Sequence, residues 1–201
     1  MRVGAITRER FAQGMTYETF KGAMTRNRDR FDANEARVKL SSEELAPFAR
    51  LRQPLHVMVL AADWCGDVIA NLPVLGRVAK ESGRLDLRIF ERDQNPDLMD
   101  QYLNQGKYKS IPVFAFFGPD WKELGVFIER PASVTEMRAR KRHEIFAAHP
   151  EFGSPDAPVD QLPEEVRARL QQELEKMRDA TTDQANADVV RELQAIVAKA
   201  A

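Results

Sequence analysis

The stretch Leu55-His56-Val57-Met58-Val59-Leu60-Ala61-Ala62 constrains this chain's fold more than any other. It reads as a strand buried on both faces, as the central strand of a covered sheet would be. Pro54 closes the segment before it. A helical pattern follows from Gly66 to about Ser82, with Ile69, Leu72, Val74, Leu75, Val78 and Ala79 on its packed side. Pro73 should kink that helix, and Gly83 suits its C-terminal stop. Leu85-Asp86-Leu87-Arg88-Ile89-Phe90 alternates and reads as a second strand. Strand, helix and strand in this order form a βαβ unit, whose strands should be parallel with a right-handed crossover.

The chain's only cysteine lies in the turn between that first strand and that helix, in Asp63-Trp64-Cys65-Gly66-Asp67-Val68. The first amide N–H groups of a helix lack internal partners, and the backbone dipole adds roughly half a positive charge there. A thiolate is stabilised by such a place, so the position predicts a lowered Cys65 pKa. Asp67 acts in the other direction, because its negative charge opposes the thiolate. Three residues after Cys65 stands Val68, so no second thiol is available within the turn. The plain alternative is that a single cysteine packs as a small apolar side chain.

Asn95-Pro96-Asp97 should start a helix reaching to about Gly106, with Asn95 as its cap. Ser110-Ile111-Pro112 precedes a third strand, Val113–Phe117; Gly118-Pro119-Asp120 turns the chain, and Glu123–Arg130 returns as a fourth. Ser133-Val134-Thr135-Glu136 is a capping box opening a helix to about Ala148. His149–Gln161, with Pro150, Gly153, Pro155 and Pro158, reads as a linker. Two helices should follow, one from Pro163 through Met177 and one carrying Val189, Val190, Leu193, Ile196 and Val197. Their apolar stripes would pack on the core or on each other, or would meet a second copy in a homodimer.

At the other end, residues 1 to about 15 read as a loosely held arm. Residues 16–35 suggest one amphipathic helix, or two short ones broken near Thr25. Ser41-Ser42-Glu43-Glu44 is a capping box for a short helix to about Arg52, in which Pro47 is awkward.

Thirty basic residues against thirty-one acidic ones leave a formal charge of −1, which gives no electrostatic case for nucleic acid or an anionic membrane. The first ten residues hold no apolar core of signal-peptide length, and no apolar run could span a bilayer. With one cysteine no internal disulfide framework can form. The expectation is a cytoplasmic protein. His56, His143 and His149 are scattered and make no metal-ligand spacing, and no Gly-rich phosphate loop is present, so neither metal nor cofactor is expected.

The order β-α-β-α-β-β-α over residues 54–149 resembles the thioredoxin fold. Trp64-Cys65-Gly66 resembles the start of the thioredoxin active-site motif, Pro73 stands where that family kinks the following helix, and Ser110-Ile111-Pro112 resembles its cis-proline segment. The resemblance implies an α/β protein with a central mixed four-stranded sheet. Residues 1–53 would be an N-terminal helical extension, 54–149 the thioredoxin-like core, and 150–201 a linker with a C-terminal helical extension. It also implies Cys65 as the catalytic thiol, a cis Ile111–Pro112 bond, and a groove of Trp64, Gly66, Asp67, Ile111 and Pro112 that pairs with an extended substrate.

Two departures from the family pattern matter. Val68 replaces the resolving cysteine, and Val59 stands where thioredoxins carry a buried acid. The first functional reading is therefore monothiol thiol–disulfide exchange at Cys65, with resolution by a low-molecular-weight thiol or a partner protein. The alternatives are a redox-inactive binding module using the Trp64/Pro112 groove, and a structural or oligomerisation role.

Overall fold

Four strands form one sheet in the order β2-β1-β3-β4, as seen in a computed structural model that describes residues 6–156 and 158–200. β1 (Leu55–Ala61) pairs in parallel with β2 (Leu85–Glu91) and antiparallel with β3 (Val113–Phe117), which in turn pairs antiparallel with β4 (Glu123–Ile128). Val57, Met58, Val59 and Leu60 are fully buried, as are all five residues of β3. Strands covered on both faces need no apolar–polar alternation, and β1 and β3 show none.

The N-terminal arm is not loose over its described part. Residues Arg8–Ala12 form α1, capped by Thr7, with Ile6 and Phe11 buried. Met15 exchanges two backbone hydrogen bonds with Ile89, at 2.9 and 2.8 Å, and so covers part of the open edge of β2. Phe11 anchors the arm because its ring meets His56 and Trp121 edge-on, each at 5.3 Å. Residues 1–5 of that expectation lie outside the described residues. Then come α2 (Tyr17–Ala23), α3 (Arg28–Arg37) and α4 (Ser42–Ala49), all ahead of β1. The helical path breaks at residues 24–27, so the two-helix alternative for 16–35 is the one adopted. Ser41 and Glu44 form the full reciprocal capping box at the start of α4, and Pro47 sits inside that helix.

Helix α5 (Gly66–Ser82) carries the only cysteine at its N-cap and ends at Gly83, whose φ of 60° is left-handed. Helices α3 and α4 pack against it. A Cβ at Gly76 would lie 2.4 Å from the Tyr17 ring, so glycine there lets α2 approach α5.

The helix expected from Asn95 to Gly106 is shorter. α6 covers only Pro96–Met99, and the chain then turns through i→i+3 bonds to left-handed Gln105 and Gly106. Asn95 stands at its N-cap as expected, but its side chain makes no cap bond, because its amide donates to Glu91 O at 2.7 Å and its carbonyl accepts from Arg10 at 2.7 Å.

By packing, the chain divides into residues 1–130 with 189–201, and residues 131–188. The segments 1–53, 54–149 and 150–201 remain a division by sequence. The second unit holds α7 (Ala132–Ala148) and two short 3₁₀ turns, with Phe146, Phe152 and Leu170 forming its own small core. Pro131 occupies the N-cap of α7, so the expected Ser133 capping box is not formed; the Ser133 hydroxyl donates to Asp188 at 2.7 Å instead.

The two expected C-terminal helices are one, α8 (Glu164–Val197). No glycine or proline interrupts this span. Thr181 and Thr182, between the two expected helices, donate their hydroxyls to the Met177 and Arg178 carbonyls at 2.8 Å, so these polar groups are satisfied within the helix. Val189, Val190, Leu193, Ile196 and Val197 belong to the same apolar core as the sheet. No helix among the described residues is long and apolar enough to cross a membrane.

Candidate functional site

β1 ends at Ala61, Ala62 is buried, and the turn then carries Asp63 and Trp64 to Cys65. The turn is fastened upstream. The Asp63 carboxylate accepts from Thr25 N at 2.8 Å, Arg26 N at 2.9 Å and Thr25 Oγ1 at 3.1 Å, while Asn27 donates to Asp63 O at 2.9 Å. Burial pushes the Asp63 carboxyl up, but these donors outweigh it and hold the group below the usual range. Thus the α2–α3 turn holds the loop that presents Trp64.

Trp64 is 42% exposed, and the Arg92 guanidinium lies 4.7 Å from its ring centroid. Arg92 also reaches the Lys109 carbonyl at 3.3 Å, close in sequence to Ile111. Cys65 is half-buried, and its Sγ donates to the Ile111 carbonyl at 3.4 Å. The Ile111–Pro112 bond is cis. Among the described residues nothing accepts from the Ile111 N–H. The candidate residues Trp64, Cys65, Gly66 and Asp67 on one side, and Ile111 and Pro112 on the other, thus meet around one sulfur–carbonyl contact.

The sequence sets the helix start against Asp67 at the thiol and leaves the net direction open. Burial pushes the Cys65 pKa up; the first-turn N–H groups of Val68 and Asp67 pull it down, the Asp67 charge pushes it up and Arg130 pulls it down, with a net rise. The helix start does act on the sulfur as expected, but desolvation is the larger effect. Val68 is fully buried at the position where a second thiol would resolve a mixed disulfide. Val59 is likewise fully buried, between Ile89 and Phe114 in the sheet.

Reading the sequence missed a polar network beside the thiol. Arg130 grips Asp67 at two points, Nε to Oδ1 at 3.0 Å and Nη2 to Oδ2 at 2.5 Å, and Nη2 also meets Glu129 Oε1 at 2.5 Å. Glu129 has a left-handed φ of 66°, a conformation a non-glycine residue holds only when its surroundings impose it. Those surroundings are visible. Its N–H donates to Pro112 O at 2.8 Å, its carbonyl accepts from Asn71 at 2.8 Å, and its Oε2 accepts from Asn104 at 2.8 Å. Asn104 also donates to Ser110 Oγ at 3.3 Å. Asn71 was the one available signal: a polar residue on the otherwise apolar face of α5, four residues after Asp67.

A family model described as Thioredoxin matches residues 14–142, more than half of the chain. The chain belongs to the thioredoxin family. The match begins before α2, so α2, α3 and α4 fall within the thioredoxin pattern matched here, while α1 lies ahead of it. Among solved structures, the chain is similar to a protein of unknown function from Pseudomonas aeruginosa, at 16% identity over 87% of this chain and 99% of that one, with a TM-score of 0.59. It is also similar to an HIV epitope-scaffold, at 17% identity over 92% of this chain and 95% of that one, again with a TM-score of 0.59. At such identities the likeness speaks for the thioredoxin-like fold alone. A comparison with curated proteins gave no match. Among the described residues no three His, Cys, Asp or Glu side chains are grouped to hold a metal ion.

Proposed function

We propose that this thioredoxin-like protein is a binding module that receives an extended peptide between the Trp64–Cys65 turn and the Ser110–Ile111–Pro112 segment. The observation that carries this reading is the Cys65 Sγ–Ile111 O contact at 3.4 Å, beside an Ile111 N–H without an acceptor among the described residues. An incoming strand can take that N–H, and the exposed Trp64 ring offers it an apolar wall. Binding comes first because burial pushes the Cys65 pKa up, against thiolate formation, and Val68 offers no internal resolution.

A second reading, monothiol exchange, is favoured by the Val68 and Asp67 N–H groups directed at Cys65. In it the Cys65 thiolate attacks one sulfur of a disulfide RS–SR′. The Cys65–SR bond forms as the S–S bond breaks, and R′S⁻ leaves and takes a proton. A thiolate from outside then attacks the R sulfur and releases Cys65. The partners are a protein or a low-molecular-weight thiol or disulfide, in a cytoplasmic setting.

The two readings separate on one pair of variants. The probe is a reduced, carboxymethylated unfolded protein, with binding followed by anisotropy. Trp64→Ala should weaken binding by about tenfold, while Cys65→Ser should bind within about twofold of wild type. A Cys65 adduct that forms from glutathione disulfide and is released by added glutathione, with probe binding unaffected by Trp64→Ala, transfers the function to exchange. No binding by wild type removes the binding reading.

A further inference from the structure

The Asp67 carboxylate lies two residues from the thiol, on the first turn of the same helix, where its charge opposes any thiolate at Cys65. It is met by Arg130, from just beyond the far end of β4, sixty-three residues along the chain. The grip is two-pointed, with Nε at 3.0 Å and Nη2 at 2.5 Å, a geometry that fixes direction as well as charge. Asp67 and Arg130 side chains are 17% and 26% exposed, so solvent screens the pair only in part. Glu129 holds the same guanidinium and is itself held by Asn104, Asn71 and the Pro112 carbonyl.

We propose that Arg130 is a positioning residue of this site: it turns the Asp67 carboxylate toward the end of β4, so that the charge is answered there and not beside the Cys65 sulfur. Through Glu129 the same guanidinium ties the start of α5 to the Ser110–Pro112 segment, and so holds the two sides of the groove at a fixed spacing. The proposal rests on the reading that Cys65 and Ile111 form the centre of the site.

The other charged groups near this turn are engaged elsewhere. Asp63 is held by the Thr25 and Arg26 N–H groups, with the Arg26 charge also acting on it. Arg92 is paired with Asp93 at 2.7 Å and stacked on Trp64. Glu91, at the end of β2, is pushed up by burial and by the Asp93 and Asp63 charges. The Asp67–Arg130 pair is therefore the adjustable charge at the thiol.

The experiment is the rate of iodoacetamide alkylation of Cys65 against pH, in the folded protein, over a cycle of Arg130→Met, Asp67→Asn and the double variant. Cys65 is the only cysteine, so the signal has one source. Arg130→Met should move the midpoint upward, slowing alkylation about tenfold at a fixed pH below it. In the Asp67→Asn background the same substitution should slow alkylation by less than about threefold, because only Arg130's own charge on the sulfur is then lost and no carboxylate is left to release. Equal effects in the two backgrounds, or none in either, overturn the proposal. Arg130→Lys guards against misfolding. It keeps the charge but cannot make the two-point grip, and it should slow alkylation in the same direction by a smaller factor. Wild-type rates in that variant also overturn the proposal. Failure of the binding reading shows separately, as a wild-type protein that does not bind the unfolded probe.

Discussion

The floor and the rim of the candidate site are built in opposite ways. The floor holds Val68, in the first turn after the thiol, and Val59, in the strand before it; both are fully buried and apolar, and Val59 is set between Ile89 and Phe114 of the sheet. Around it lie Asp63, Asp67, Glu129, Arg130, Asn71 and Asn104, each held in named hydrogen bonds. A dithiol thioredoxin keeps its second thiol and its proton-handling acid in positions that this protein fills with valine. What is polar is the hydrogen-bonded network that links the start of α5, the residues after β4 and the residues before β3. The contrast teaches that apolar packing and a polar network can meet at one turn, because the two rest on separate interactions.

The sharpest way to break that contrast is to put the acid back. Val59→Asp would bury a carboxyl with no partner and should cost about 4 kcal/mol, read as a lower urea midpoint. A variant within about 1 kcal/mol of wild type would mean that the floor already accommodates a polar group. Restoring the thiol is milder. Val68→Cys should lose about 1 kcal/mol of packing, form a disulfide between Cys65 and the introduced thiol on oxidation, and reduce insulin faster than wild type does. Free-thiol counting after oxidation decides it, and two remaining thiols would count against the placement of residue 68 beside Cys65.

On the rim, Asp63→Ala should cost about 1–2 kcal/mol, because the Thr25 and Arg26 N–H groups lose their acceptor. The folded-state Asp63 pKa is lowered, so its contribution is present above the unfolded value of about 4 and is lost as pH falls through the folded value. The stability gap between wild type and Asp63→Ala should therefore close in acid; a gap that is the same at neutral and acid pH would show that charge is not involved. The smallest effect belongs to the thiol itself. Its folded-state pKa is raised, so its contribution is complete below the unfolded value of about 8.5 and is lost as pH rises through the folded value. Wild type should lose slightly more stability than Cys65→Ser above that pH, and parallel curves would mean that the sulfur is not desolvated.

Much of the framework was legible because its signals are local. Gly83 stops α5 in a left-handed conformation, and Ser41 with Glu44 closes a capping box within a single turn; both depend on near neighbours only. The same reasoning failed at Ser133 and Asn95, where competing partners arrive from elsewhere: Asp188 takes the serine hydroxyl, and Arg10 and the Glu91 carbonyl take the asparagine. It failed in α8 for a different reason. A polar stretch such as Thr181-Thr182-Asp183 weakens an apolar stripe without breaking a helix, since only glycine or proline removes the backbone's preference or its hydrogen bond.

By itself the sequence determined the strand–helix–strand unit, the seat of Cys65 at a helix start, and the absence of a resolving thiol at Val68. Each follows from periodicity or from residue identity at a fixed spacing. Tertiary structure alone decided the direction of the Cys65 pKa shift, the pairing of Asp67 with Arg130, and the left-handed Glu129 whose N–H meets the Pro112 carbonyl. Desolvation and Coulomb energy depend on distance through space, and residues sixty-three apart in the chain carry no local mark that they will meet.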